Sequence, residues 1–362
     1  MPTNTAAWLR AKGAKLEVGP APYTRPRANE IVIKNHAVAI NPVDWAIQAA
    51  KLFPWIKFPT ILGSDAAGVV VEVGPGVTRF AVGDRVLGHA VGLDKKRNTS
   101  AEAAFQDYTV LLTHMAAPIP NTMSYESAAV LPLGVSTAAS GLFQKDQLAL
   151  HLPSADAKPT GETLLVWGGS TSVGSNAIQL AVAAGYEVIT TCSPQNYNYV
   201  KRLGAAQAFD YASPTVVADI IRAFEGKPGA GALALGVGSA HACAAVVTAI
   251  DGRKFISTGS VDGTIENGLT PGTIAKIVFS NISLWFKTRP RHIHTKMIFG
   301  SSLMYNKVGP AIYVSFLPQA LMDGRYAACP EPYVVGTGLN SVQTGLDIQK
   351  KGVSAKKVVV SL

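Results

Sequence analysis

The chain has 362 residues, 48% hydrophobic and 15% charged, enough apolar material for two domains with substantial cores and no stretch with the composition of disorder. Its 32 Lys and Arg against 23 Asp and Glu leave a formal charge of +9, but the basic residues are dispersed without an aromatic-interleaved strip, which argues against a nucleic-acid partner. Three widely separated cysteines, Cys192, Cys243 and Cys329, exclude a disulfide framework and a C-x-x-C zinc cluster, and no apolar run reaches the roughly 20 residues that span a bilayer.

From the start to about Ser154 the chain reads as short strands punctuated by Gly and Pro: Glu30–Lys34, Ala67–Gly74 and Asp84–Leu87. This pattern predicts a compact all-β module. A polar connector, Pro153–Thr160, leads into alternating strands and helices that run through Phe255–Ser257 and Met297–Phe299. The tail turns helical from about Tyr305 and ends in the strand Lys357–Val360. One local concentration of charge, Lys287–Lys296, reads as an exposed loop, with an acidic partner or a carboxylate substrate as the alternative. There is neither an internal repeat nor a low-complexity tract.

The most informative segment is Leu164–Leu180, an apolar run, a turn of small residues, then an apolar pattern at helical spacing. A parallel strand enters a helix in this way, and the unpaired N–H groups at the helix start attract phosphate. Against the fingerprint G-x-G-x-x-G, Gly169 and Gly174 fill the outer glycine places while Thr171 stands at the middle one. Ser170, Thr171 and Ser172 are expected to supply hydroxyl donors, and Val173 is a further candidate at the cofactor. A plain packing turn is the alternative.

The next strand, Glu187–Thr191, ends at Cys192–Asn196, where a carboxylate would bind an adenosine ribose 2′-hydroxyl. None is present. A carboxylate would repel a 2′-phosphate, whereas Ser193 and Asn196 can hydrogen-bond one, so NADP(H) is the expected cofactor. Tyr211 is a candidate for stacking near the adenine or for simple packing. Lys201 and Arg202 read as solvated.

The motifs Ile40–Asp44, Leu62–Gly68 and Val82–Val86, followed by the nucleotide turn, resemble the medium-chain dehydrogenase/reductase superfamily over nearly the whole chain. The resemblance implies an α/β fold: a GroES-like β-rich catalytic domain (1–157 and 305–362) and a Rossmann doubly wound parallel sheet (158–304), with a cleft between them. At the places where zinc relatives hold catalytic metal stand Asn41, Ser64 and about Leu133, a poor tetrahedral set. His36, His89 and His114 lie on separate segments and read as ordinary hydrogen-bonded histidines.

Similarity is greatest to the zinc-free quinone-reductase and enoyl-reductase branch, in particular fungal trans-acting enoyl reductases, carried by Cys192–Asn196, Phe209–Tyr211 and Leu131–Thr137. It implies NADPH-dependent hydride transfer to the activated C=C of a free or carrier-bound enone. The alternatives are an NADPH:quinone reductase acting on small molecules and a non-catalytic NADPH-binding protein. Motif transfer puts Val43, Asp44 and Trp45 near the nicotinamide end and Leu131–Thr137 at the substrate pocket. Asn41, Asp44 and Thr137 are the candidate catalytic residues, with a turn-fixing, a structural and a helix-capping role as their alternatives. Ser354 and Lys357 are candidates to reach the cofactor, a surface lysine being the alternative for the second. A cytoplasmic monomer or homodimer without metal or membrane partner is expected, the strand near Met297–Gly300 either pairing across a two-fold axis or being covered by the loop before it.

Overall fold

The computed structural model describes residues 2–50, 52–260 and 270–362. Packing divides the chain into two compact units, one of 2–133 and 313–362, the other of 134–260 and 270–312 among the described residues. The division at Leu133 and Gly134 falls upstream of the polar connector 153–160.

The first unit opens with β1 (Asn4–Leu9), β2 (Glu17–Ala21) and β3 (Glu30–Ala39), then helix α1 (Pro42–Ala50) and the two-residue β4 (Thr60–Ile61). It continues through β5 (Asp65–Val73), β6 (Arg85–His89), β7 (Tyr108–Leu112), β8 (Ala116–Pro118) and the short helix α2 (Tyr125–Ala129). The long helix α3 (Pro132–Phe143) follows.

The module is therefore not all β. The segment with Val43, Asp44 and Trp45 is the first turn of α1, because Pro42 presets its φ and the Asp44 carboxylate reaches back to the Asn41 N–H at 2.8 Å, half of a capping box. Ala46, Ile47 and Ala50 then recur at helical spacing and are buried.

The second unit carries β9 (Thr163–Trp167), α4 (Ser172–Ala183), β10 (Glu187–Cys192), α5 (Tyr197–Arg202), β11 (Gln207–Asp210) and α6 (Val216–Ala223). Next come β12 (Gly229–Ala234), α7 (Ser239–Ala249), β13 (Phe255–Thr258), α8 (Pro271–Thr288) and β14 (His294–Met297). Its six described strands form one parallel sheet in the order β11-β10-β9-β12-β13-β14, the doubly wound arrangement expected. Every residue of β9 is buried, as a central parallel strand requires.

The last strand of that sheet lies slightly earlier than the apolar triplet Met297–Phe299 suggests. It takes the polar residues His294, Thr295 and Lys296, which suit an exposed sheet edge, while Phe299 is left outside. The charged stretch 287–296 is thus no loop: it closes α8, makes one turn of 3₁₀ helix at Arg289–Arg291 and enters β14.

The chain then stays helical in short pieces from Gly300 to Met322. Back in the first unit, β15 (Glu331–Thr337), the helix Ser341–Lys351 and β16 (Lys356–Ser361) complete a sheet ordered β15-β16-β3-β5-β6-β8, with β7 also on β3. A separate small sheet runs β2-β1-β4. Among the described residues no helix is long and apolar enough to cross a membrane. Cys192, Cys243 and Cys329 are all buried, and none forms a disulfide among the described residues.

Candidate active site

In the second unit the strand order reverses between β9 and β12, and the turns leaving their carboxyl ends abut. The Leu235 N–H donates to the Trp167 carbonyl at 3.2 Å. Gly168 has φ +88°, and a Cβ placed on it would stand 2.9 Å from the Leu235 carbonyl oxygen. A doubly wound sheet binds its ligand at such a reversal.

The β9 turn is drawn tight by glycine. A Cβ on Gly174 would overlap the Gly168 carbonyl and lie 2.8 Å from the Gly169 Cα, and one on Gly169 would overlap the Thr190 hydroxyl. Thr171 is the N-cap of α4: its Oγ1 accepts from the Gly174 N–H at 3.0 Å and donates to the Gly168 carbonyl at 2.8 Å. Its hydroxyl is spent on the helix rather than offered to a ligand, which departs from the three-donor expectation.

What remains still suits a phosphate. Thr171 also accepts, through its carbonyl, the Ser175 N–H at 2.8 Å. The first-turn N–H groups of Ser172 and Val173 have no carbonyl behind them. The Ser172 Oγ is buried without any hydrogen-bond partner, and Gly134 on α3 leaves just enough room beside it. An orphaned hydroxyl at an open helix start fits a pyrophosphate, so the residues present suit a dinucleotide.

At the carboxyl ends of β10 and β11 the structure brings Ser193 and Tyr211 together, the Ser193 hydroxyl donating to the Tyr211 oxygen at 3.3 Å. Tyr211 is 52% exposed, so its ring face is available for stacking. Asn196 is buried where the 3₁₀ turn meets α5, less open than Ser193, while Lys201 and Arg202 are exposed. Thr137 is half-buried in the interior of α3 and caps nothing.

In the first unit Asn41, Asp44 and Lys357 do come together, with Asp65 as the member that sequence reasoning quoted but gave no role. The Lys357 ammonium ion-pairs with Asp65 Oδ2 at 2.9 Å and donates to Asn41 Oδ1. Asn41 Nδ2 donates to the same Asp65 oxygen at 2.7 Å, and the other Asp65 oxygen accepts the Leu133 N–H at 2.5 Å. Lys357 is 4% exposed and Asp65 fully buried, so Lys357 is no surface lysine. Ser354 is exposed, and Val43 and Trp45 pack on the first unit's core, with Trp45 Nε1 donating to Gln349 at 2.6 Å.

Asp44 is completely buried, its two oxygens accepting the N–H groups of Asn41 and Gly63. Burial pushes its carboxyl up to about 7 from 3.8, and the neighbouring Asp65 adds to this, while the two backbone donors and Lys357 oppose it. A folded-state pKa above the unfolded one favours the protonated native form, so this group's contribution to stability is full below about 3.8 and is lost as pH rises through about 7. The Asp44→Asn variant is expected to lose this slope, although its amide satisfies only one of the two N–H groups and its overall melting temperature is lower. Thermal melts of both proteins across that range check it; equal slopes would assign the pH dependence elsewhere.

The three places that would hold catalytic zinc do not fit a metal. Asn41 is spent on Asp65 and Lys357, Ser64 is buried, and Leu133 has no side-chain donor. The chain's own ammonium already sits between Asn41 and Asp65. His36 stacks on Tyr125, its basicity lowered by burial, and His89 is buried with its pKa lowered to about 4 for the same reason.

Comparison with known proteins agrees with this architecture. The alcohol dehydrogenase GroES-like domain matches residues 27–121. The dehydrogenase pigH of Monascus ruber is 55% identical over the full length of both chains. The chain belongs to the medium-chain dehydrogenase/reductase superfamily. The trans-enoyl reductase himH of Aspergillus japonicus is 38% identical over 99% of this chain and 97% of its own. Among solved structures, a mycobacterial protein in complex with NADPH superposes with a TM-score of 0.70 at 20% identity, over 99% of this chain and all of the other. As a member of this superfamily the protein is an oxidoreductase, with a glycine turn suited to a nicotinamide dinucleotide.

The turn after β12 went unremarked in the sequence. Gly236, Val237 and Gly238 leave that strand and open α7, with Gly238 at φ +77° as its N-cap and Val237 68% exposed at the sheet's carboxyl edge. The signal is a G-x-G between a run of small apolar residues and a helix.

Proposed function

We propose that the protein is a zinc-independent, NADPH-dependent reductase of α,β-unsaturated carbonyl compounds. The observation that carries this reading is the Lys357 ammonium held by Asn41 and Asp65 where zinc relatives place their metal. With no room there for a metal electrophile, an alcohol or simple ketone is a poor substrate. A C=C conjugated to a carbonyl is a good one, because hydrogen bonding alone suffices to stabilise the charge that develops on the oxygen. The similarity to a trans-enoyl reductase supports the same substrate class.

The cofactor, when bound, supplies a hydride for the β-carbon of the enone. The chain's own part is positional and electrostatic. Ser172 and the first N–H groups of α4 bind the pyrophosphate. Ser193 takes the 2′-phosphate, and Tyr211 stacks beside it. Thr137, free of any capping role, is the hydroxyl we assign to the carbonyl oxygen of the substrate, and solvent supplies the α-proton.

The test is titration of metal-free protein with NADPH and NADH, followed by oxidation assays against enones, quinones and unsaturated acyl thioesters. Metal-independent reduction of the C=C bond is expected. Turnover of quinones alone would make it a quinone reductase, and tight NADPH binding without turnover on any of them would make it a non-catalytic binder. For the cofactor preference, Ser193→Asp is expected to weaken NADPH by about tenfold, ~1.4 kcal/mol, while leaving NADH little changed. Equal weakening of both would remove Ser193 from the 2′-phosphate site.

A further inference from the structure

Helix α8 carries its apolar residues on the wrong side for a core helix. Its packed stripe is Thr273, Ile277, Ser280, Leu284 and Thr288, of which only Leu284 and Thr288 are buried. Much of that stripe is polar: the Ser280 hydroxyl lies 3.0 Å from His241 Nε2, and the Thr288 hydroxyl folds back onto the Leu284 carbonyl at 2.9 Å.

The large apolar side chains point outward. Ile274, Val278, Phe279, Ile282, Trp285 and Phe286 are between 47% and 75% exposed. At about 100° per residue these six fall on one arc of roughly 140°. Scattered exposed apolar residues need no explanation, but an apolar ridge along an 18-residue helix does.

The charge along the ridge's own segment is basic. Lys276 and Lys287 stand on its border and Arg289 and Arg291 follow it, while Lys296 on β14 is ion-paired with Asp146; residues 270–300 contain no Asp or Glu. The Arg289 guanidinium lies over the Trp285 ring, 5.0 Å from its centroid. An apolar arc with Trp and Phe, edged by Lys and Arg, is the pattern of a helix lying in a membrane interface.

We infer that α8 docks the protein reversibly on an anionic lipid surface, with the ridge in the headgroup region and the basic border on the phosphates. A second copy fits less well, because two such faces would set like charges against each other. A groove in another protein would have to match a straight, convex ridge along its whole length. A bilayer surface is deformable and needs no such match. The absence of a spanning run, read from the sequence as the absence of a membrane partner, does not bear on a helix that lies flat.

The experiment is flotation of the full chain with vesicles of phosphatidylcholine alone and of an equal mixture of phosphatidylcholine and phosphatidylserine. Binding is expected to the mixed vesicles at low salt and to fall as salt rises. Phe279→Ser with Phe286→Ser is expected to lower the partition coefficient at least about tenfold. Lys287→Glu with Arg289→Glu lowers it at least about fivefold for each charge removed, the equivalent of ~1 kcal/mol. All four side chains are exposed, so far-UV circular dichroism and melting temperature should match the parent.

No flotation with the mixed vesicles, or flotation unchanged by either pair of substitutions, overturns the inference. So does a concentration-dependent dimer that the Phe pair abolishes while vesicles are ignored, which would place a second copy on the ridge. Capture of an acidic protein without lipid binding overturns it equally.

Discussion

Gly174→Ala is expected to raise the Kd for the dinucleotide by tenfold or more and to lower folding stability by about 1–3 kcal/mol. The added Cβ would overlap the Gly168 carbonyl and press on the Gly169 Cα, and both are backbone atoms of the turn. Neither can swing aside as a side-chain tip does. The Gly168 carbonyl also accepts the Thr171 N–H at 3.1 Å and the Thr171 hydroxyl at 2.8 Å, so moving it loosens the cap of α4 as well. One methyl group therefore opens the turn, withdraws the Ser172 and Val173 N–H groups and displaces the unpartnered Ser172 hydroxyl. Fluorescence titration with NADPH and chemical denaturation read the two effects separately. A matched control is Gly272→Ala in the first turn of α8, whose Cβ would meet nothing closer than 3.9 Å and should change little. If Gly174→Ala binds the dinucleotide as the parent does, the β9 turn is not the phosphate site.

The parts legible in the sequence are those set by local pattern. The apolar run of β9, its glycine turn and the start of α4 follow from a few neighbouring residues, and so do β10 and β13. The β12 strand is less visible because Gly229–Ala234 is built of Gly and Ala with one Leu, a composition that lacks strand propensity and holds only because both neighbours pair with it. The first turn of α1 hides behind Asn41-Pro42, which reads as a turn until the Asp44 carboxylate is seen closing the helix start.

The role of Thr171 is ambiguous for a related reason. A hydroxyl at a helix start can face a ligand or its own backbone, and spacing alone does not separate the two. Lys357 illustrates the limit most sharply. It contacts Asn41, 316 positions away, and no local pattern reports a pairing of that span. The hint was chemical: Asp65 stands in the buried run Leu62–Ala67 and needs a cation, and Lys357 is the charged residue that abuts the apolar run Val358–Val360.

That pairing yields the second large effect. Lys357→Met is expected to destabilise the protein by about 3–5 kcal/mol, because the Asp65 carboxylate is left buried with only neutral donors. Its remaining partners, Asn41 Nδ2 at 2.7 Å and the Leu133 N–H at 2.5 Å, satisfy hydrogen bonding but not charge. The Asn41 side-chain oxygen loses its donor at the same time. If charge burial is the cause, removing the second charge must help: Lys357→Met combined with Asp65→Asn should be more stable than Lys357→Met alone by about 2 kcal/mol. Recovery stays incomplete, since the new amide has one acceptor oxygen for the two donors that Asp65 serves. Chemical denaturation of the parent, both single variants and the double variant gives the coupling directly. Strictly additive losses would mean that the carboxylate finds water once the lysine is gone, and the ammonium would then be a packing group. A large favourable coupling would identify it as the internal cation on which the Asn41–Asp65 arrangement depends.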